Sequence, residues 1–73
     1  MQLTVKFGSD TYTRVYAEGT TIGQVLADHD LKVVTGWGDN VRAVVSGVEQ
    51  GANVLAPDGG IIVVETKANT KQN

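Results

Sequence analysis

The chain has 73 residues, a formal net charge of −2 and no cysteine. A domain of this size buries only about 60% of the surface that its unfolded chain exposes, so it has little room for an enclosed substrate pocket. The absence of cysteine excludes disulfides and thiolate chemistry, the single histidine (His29) excludes a multi-histidine metal cluster within one chain, and the acidic balance disfavours general nucleic-acid binding, which depends on neutralising phosphates.

The N-terminal segment predicts a β-hairpin. Residues 2–7 alternate between apolar and polar side chains, with Leu3 and Val5 on one face. Residues 8–10 (GSD) are typical of a turn, and residues 11–16 alternate again. Two short alternating segments joined by three turn residues predict a pair of antiparallel strands.

A single helix is predicted after the hairpin. Residues 21–24 (TIGQ) match a capping box, in which a threonine hydroxyl and a glutamine side chain bond reciprocally to backbone amides. Val25 and Leu26 follow at helical spacing. We expect a helix of about nine residues that ends near Asp30, with His29 packed at the end of its apolar stripe.

The C-terminal half predicts further strands. The valines at 33 and 34 are expected to be buried, and residues 36–40 (GWGDN) to form a loop. The strand segments that follow are residues 41–46, a short continuation at 48–49, a small edge strand at 53–55 and a last strand at 61–67. The run IIVV at the start of the last strand does not alternate, which predicts a central strand covered on both faces there.

Together these elements predict an α+β domain of the ubiquitin-like β-grasp type, with a mixed sheet of four to five strands packed on one helix. The first and last strands are expected to be parallel neighbours joined through the helical crossover. The domain would span residues 1–67, and residues 68–73 would form a polar, flexible tail.

Four segments resemble the bacterial sulfur-carrier family, which contains the thiamine-pathway carrier and the small subunit of molybdopterin synthase. They are residues 1–5 (MQLTV), 18–22 (EGTTI), 42–47 (RAVVSG) and 57–63 (PDGGIIV). The resemblance runs over roughly the first 67 residues and implies the β-grasp fold. It also implies that function would reside in a C-terminal Gly-Gly, whose carboxylate is adenylated and converted to a thiocarboxylate.

That chemical handle is missing from the end of this chain. On the family pattern the diglycine would fall near Asn69 and Thr70, which carry side chains. The diglycine that is present, Gly59-Gly60, precedes the last strand, and cleavage after it would remove four apolar β-branched residues. Losing them at about 1.5 to 3 kcal/mol each would exceed the stability of a small domain, so Gly59-Gly60 is predicted to be a turn.

The candidate site residues are aromatic and basic. If Thr11, Thr13 and Val15 face the helix, then the second strand turns three other side chains toward the uncovered face of the sheet: Tyr12, Arg14 and Tyr16. Lys6 or Arg42 is expected beside them. Aromatic residues and arginine are typical interface anchors. Trp37, between two glycines, either caps the core or serves as a further anchor for a partner.

The sequence therefore favours a non-enzymatic interaction module or adaptor with a protein partner, docking through the open sheet face. Self-association through an edge strand or the tyrosine-bearing face is an alternative. Two further alternatives are a carrier or modifier that needs C-terminal processing, and a small nucleic-acid-binding β-grasp domain. No stretch approaches the roughly 20 apolar residues of a membrane helix, and no cofactor, metal or catalytic residue is predicted, so we expect a cytoplasmic protein that acts without a membrane.

Overall fold

The computed structural model describes residues 1–67 as five strands and two short helices. The strands are β1 (Gln2–Phe7), β2 (Asp10–Val15), β3 (Val41–Val45), β4 (Val48–Gln50) and β5 (Ile61–Thr66). The helices are α1 (Ile22–Leu26) and α2 (His29–Thr35). The predicted tail, residues 68–73, lies outside the described residues. Within the described part of the chain, neither helix has the length and apolar character required to cross a bilayer.

The sheet has the predicted mixed topology. Its strand order is β2-β1-β5-β3-β4, with β1 and β5 parallel and the other pairs antiparallel. The central position of β5 and its parallel pairing with β1 were both expected from the sequence. The prediction that the start of β5 is covered on both faces is wrong, because Ile62 is fully buried whereas Ile61 is 49% exposed.

Two tight turns organise the hairpins. Gly8 has a φ of 60° and begins a two-residue turn that pairs Phe7 with Asp10, the arrangement of a type II′ hairpin. Ser46 and Gly47 both have positive φ, 54° and 81°, which is the pattern of a type I′ turn between β3 and β4. The predicted three-residue turn after β1 is therefore one residue too long.

The predicted capping box is present at the start of α1. The Gln24 backbone N–H donates to Thr21 Oγ1 at 3.3 Å, and the Thr21 N–H donates to Gln24 Oε1 at 2.9 Å. Gly23 packs against the loop that follows β4, since a Cβ at this position would lie 3.0 Å from that of Ala52. The predicted edge strand at residues 53–55 is reduced to a single bridge between Leu55 and Thr21.

The single nine-residue helix is the largest error of the sequence analysis. Helix α1 stops at Leu26, and Asp28, in an extended conformation, becomes the N-cap of a second helix by accepting from the N–H groups of Asp30 and Leu31. His29 is therefore the exposed first residue of α2 and does not extend the apolar stripe of α1. The two valines expected to be buried, Val33 and Val34, are 66% and 54% exposed.

One hydrophobic core lies between the sheet and the two helices. Its buried members are Leu3, Val5, Ile22, Val25, Leu31, Trp37, Val41, Ala43, Ala56, Ile62 and Val64. The strand members alternate with outward-facing residues along β1, β3 and β5. The helical layer thus covers one face of the sheet, which we call the covered face, and the other is the open face.

Candidate protein-interaction surface

The structure corrects the facing of β2. Tyr12 pairs with Val5 and Arg14 pairs with Leu3 across the β1–β2 ladder, and directly opposed residues lie on the same face. Because Leu3 and Val5 are buried, Tyr12, Arg14 and Tyr16 lie on the covered face. A three-residue turn would pair Phe7 with position 11, whereas the observed two-residue turn shifts the register by one and reverses every side chain of the strand.

Arg14 and Tyr16 join the end of β2 to the start of α2. The Tyr16 hydroxyl donates to Asp28 Oδ2 at 2.7 Å, and Arg14 Nη2 donates to Asp30 Oδ2 at 3.3 Å and lies 3.8 Å from Asp28. Burial, followed by the hydrogen bond to Asp28, raises the pKa of Tyr16 above its ordinary value. These side chains partner one another, and the aromatic surface predicted on the open face loses both tyrosines.

The Asp28 carboxylate is held in its charged form by this arrangement. Burial acts to raise its pKa, but the hydrogen bonds from the Tyr16 hydroxyl and the Leu31 N–H, the charge of Arg14 and the Asp30 N–H together lower it below the ordinary value of 3.8. Asp28 thus caps α2 and also accepts a hydrogen bond from Tyr16, the residue that follows β2. Its role is structural.

Of the other two predicted site residues, one is buried and one is exposed. Trp37 is 4% exposed, its ring packs edge-to-face on Phe7 at 5.5 Å, and its Nε1 donates to the Leu26 carbonyl at 3.1 Å. Trp37 therefore caps the core, and the alternative of a projecting anchor is wrong. Arg42 is exposed and alternates with buried Val41 and Ala43, which places it on the open face as expected.

The open face has an apolar centre. Val63, in the middle of β5, lies opposite Val44 on one side and Lys6 on the other, and Ile61 lies opposite Thr4. We call Val44, Ile61 and Val63 the apolar strip. Ile61 is 49% exposed and the two valines are half-buried, although the strip occupies the central strand and its neighbour. The helical layer lies on the opposite side of the sheet, so these side chains contribute little to the core.

Charged side chains flank the strip. Arg42 donates through Nε to Glu65 Oε1 at 3.0 Å, and its Nη1 lies 3.9 Å from Glu49 Oε1. These groups are all roughly half exposed. On the other side, Lys6 is exposed and forms no ion pair with another residue of the described chain. The strip therefore has an ion-pair network of one arginine and two glutamates along one border, and along the other a lysine that forms no ion pair within the described chain.

A groove adjoins the strip. It has a volume of about 530 Å³ and lies between the Ser46-Gly47 turn and the Pro57-Gly60 turn, with Ile61 and Val63 in its lining. The groove is open to solvent and mostly apolar. Such a depression beside an exposed aliphatic strip has room for an inserted side chain from a protein partner.

The Gly59-Gly60 pair is a turn that fixes the start of β5. Gly59 has a φ of 72°, and its N–H donates to the Gln2 carbonyl at 2.9 Å. The Gly60 N–H donates to the Pro57 carbonyl at 3.0 Å, and the Gly60 carbonyl accepts from the Thr4 N–H at 3.0 Å. These bonds tie both glycines to β1 and to their own turn, and the prediction that Gly59-Gly60 is a turn is confirmed.

The apolar strip was not predicted, because residues 61–64 were all expected to lie in the interior. A signal was nonetheless present, since Ile61, Val63 and Glu65 are in phase with one another along β5. A fold with one helical layer covers only one face, so one of the two alternating sets had to be exposed. Among residues 1–67, no group of three His, Asp or Glu side chains is placed to hold a metal ion.

Comparison with solved structures shows the fold. The chain is similar to the N-terminal ubiquitin-like domain of the 4931431F19Rik protein, with a TM-score of 0.75, 13% identity and coverage of 100% of this chain and 80% of that one. It is also similar to the ubiquitin of Caldiarchaeum subterraneum, with a TM-score of 0.73, 17% identity and coverage of 93% and 94%. A third similar structure is AtBAG1 in complex with HSP70, with a TM-score of 0.75, 12% identity and coverage of 90% and 40%.

These similarities show that the fold is a ubiquitin-like β-grasp, as predicted. No protein-family model matches the chain, and no curated protein matches it. The resemblance of four segments to the sulfur carriers is accordingly a resemblance of sequence pattern, supported at the level of the fold.

Proposed function

We propose that this chain is a non-enzymatic protein-interaction module that docks a protein partner on the open face of its sheet. The observation that carries the proposal is the apolar strip, because Ile61 is exposed at the start of the central strand, where core packing does not require a large aliphatic side chain. Clustered aliphatic side chains with a charged rim are the usual anatomy of a protein–protein interface.

The charges beside the strip indicate the chemistry of the partner. Lys6 lies next to Val63 in the β1–β5 ladder and forms no ion pair within 4 Å in the described chain, whereas Arg42 pairs with Glu65 and Glu49. A complementary partner presents an aliphatic or aromatic group to the strip and groove and a carboxylate to Lys6. One of the similar structures, AtBAG1, was solved in complex with a protein, HSP70, which is consistent with a protein partner for this fold.

The two alternative functions have less support. A carrier produced by C-terminal processing would need an activatable carboxylate at Asn69 or Thr70, neither of which is glycine. Cleavage after Gly60 instead would remove β5, whose Ile62 and Val64 are core residues. Nucleic-acid binding would require a continuous basic surface, but Arg14, Lys32 and Arg42 each lie within 4 Å of a carboxylate.

The proposal is tested by comparing one substitution on the open face with a matched one elsewhere. Ile61→Asp places a charge in the apolar strip, and Val33→Asp places the same charge on an exposed aliphatic position of α2. Affinity capture from the native host with the original chain and both variants is followed by measurement of the affinity for each captured protein in purified form. Thermal unfolding of both variants confirms that they are folded.

We expect a partner that binds the original chain and Val33→Asp with similar affinity and Ile61→Asp about tenfold more weakly or worse, because the partner must desolvate the new carboxylate. A partner whose purified form binds all three proteins equally would contradict docking on the open face. A partner lost only with Val33→Asp would transfer the interaction to α2.

A further inference from the structure

Strand β2 is an unprotected edge of the sheet. It is the outermost strand, six residues long, and pairs with β1 without interruption. Natural edge strands are usually blunted by charged side chains, especially lysine, or by proline, a bulge or a covering loop. The segment DTYTRV contains no lysine, proline or glycine, its two charged residues have opposite signs, and the other four are β-branched or aromatic.

The free hydrogen-bonding groups of this edge belong to the odd-numbered residues. Met1 and Tyr16 exchange both backbone hydrogen bonds, at 2.7 and 2.8 Å, so the even-numbered residues of β2 direct their N–H and C=O toward β1. The groups of Thr11, Thr13 and Val15 therefore point away from the sheet. In the described part of the chain, no side chain or loop outside the strand ladder hydrogen-bonds to them.

The charges on β2 are complementary to those of an identical strand. In an antiparallel pair of two β2 strands centred on Tyr12, Asp10 of each copy lies opposite Arg14 of the other. Thr11 of each copy lies opposite Thr13 of the other and exchanges backbone hydrogen bonds with it. The two Tyr12 rings are adjacent. Opposite charges at directly opposed positions favour pairing, and threonine pairs and aromatic pairs do so as well.

The neighbouring registers lack this complementarity. Centring the pair on Arg14 sets two arginines against each other, and centring it on Thr13 sets Arg14 against Tyr12.

We propose that this chain forms a two-fold symmetric dimer through antiparallel pairing of β2 with β2 of a second copy, in the register centred on Tyr12. The inference uses the strand edge alone and is independent of the proposed docking function.

The dimer leaves both helical layers and both open faces accessible. A two-fold axis perpendicular to the sheet makes a continuous ten-stranded sheet with the helices of both copies on one side. The Asp28–Tyr16 contact lies near the C-terminal end of β2, so the two α2 helices start at opposite ends of the paired strands. The two apolar strips then face the same direction, which gives the dimer two equivalent docking surfaces.

Arg14 can exchange its present partners for Asp10 of the other copy. Its existing contacts with Asp30 and Asp28 are 3.3 and 3.8 Å long, and its side chain is 37% exposed. The shorter contact is with Asp30, whose side chain is 71% exposed, and exposed ion pairs of this kind are weak and exchange readily. Since one pair of short strands buries less than the area of a standard interface, which is about 1,600 Å², we expect a dimer that dissociates on dilution.

Sedimentation equilibrium over a range of protein concentrations, at low ionic strength, measures the dimer directly. The original chain is expected to show a reversible monomer–dimer equilibrium. Asp10→Arg places arginines opposite each other, and Arg14→Asp places aspartates opposite each other, so each variant alone should dimerise about tenfold more weakly or worse. An equimolar mixture of the two restores both opposite-charge pairs and should dimerise about as well as the original chain.

Two further measurements keep the test decisive if a charge variant is poorly folded. Thr13→Pro removes an outward N–H at an edge position, where proline is tolerated, and should be monomeric. In the original chain, hydrogen exchange of the Thr11 and Thr13 amides should slow as the concentration rises. A strictly monomeric original chain, a dimer that survives Thr13→Pro, or charge variants whose mixture dimerises no better than each alone would overturn the proposal.

Discussion

The covered and open faces of β5 have nearly the same composition and opposite functions in the molecule. Ile62 and Val64 point to the helices and are buried, whereas Ile61 and Val63 point away from them, and Ile61 is 49% exposed. The difference comes from the single helical layer, which can cover only one side of the sheet. Residue type along this strand therefore predicts the strand but does not predict which residues stabilise the fold and which are available to a partner.

The largest effect is expected from removing a core side chain of β5. Ile62→Ala should lower the free energy of unfolding by about 2–5 kcal/mol, because it removes a fully buried side chain and leaves a cavity. Ile61→Ala, one residue away, should lower it by less than about 1 kcal/mol. Chemical denaturation of both variants measures the difference, and equal losses would show that the two faces are not distinct.

A second prediction concerns the turn that sets the phase of β5. In Gly60→Ala the new Cβ would lie 2.6 Å from Cγ of Pro57, a contact that requires the turn to shift. We expect a loss of about 1–3 kcal/mol in the free energy of unfolding, the usual cost of overpacking. Gly38→Ala is the matched control, since no atom lies within 4 Å of the point that its new Cβ would occupy and its φ is not positive. A neutral Gly60→Ala would contradict the tight turn.

The contact between β2 and α2 gives a third, smaller prediction. Tyr16→Phe removes the hydroxyl that donates to Asp28 and should lower the free energy of unfolding by about 1 kcal/mol at neutral pH. Because the pKa of Tyr16 is raised in the folded state, its contribution is present below pH 10, the ordinary value, and is lost as the pH rises above it. Denaturation at neutral and alkaline pH should show that the loss caused by Tyr16→Phe shrinks above pH 10.

The smallest effect is expected from the charge of Asp28. Its pKa is lowered in the folded state, so its contribution is present above the ordinary value of 3.8 and is lost as the pH falls through the folded pKa. Asp28→Asn keeps an oxygen that can cap α2, removes the charge, and replaces the Oδ2 that accepts from Tyr16 by an amide nitrogen that cannot accept. Stability measured from neutral to acid pH should decline less steeply for Asp28→Asn than for the original chain, and identical slopes would contradict the lowered pKa.

Much of the fold was predictable because local signals and topology agree. The alternation of β1, the capping box at Thr21 and the Gly59-Gly60 turn all depend on neighbouring residues, and all were found where expected. The parallel pairing of the first and last strands follows from one crossover between them.

The surface was less predictable because it depends on single-residue differences. One residue fewer in the turn after β1 moves Tyr12 and Tyr16 to the covered face, and no composition or periodicity distinguishes the two turns. Helix α2 was missed because its start depends on one capping residue, Asp28, and because its valines at 33 and 34 are exposed. The apolar strip was missed because it lies within a run whose composition is typical of a wholly buried strand.

Docking on the open face is tested most directly by site-specific photo-crosslinking in the native host. A crosslinking amino acid at position 61 lies in the apolar strip, and the same amino acid at position 33 lies on the exposed side of α2. The account predicts a discrete crosslinked protein from position 61 that is displaced by excess original chain but not by Ile61→Asp, and that is absent from position 33. Crosslinking to the same proteins from both positions, or none from position 61, would contradict it.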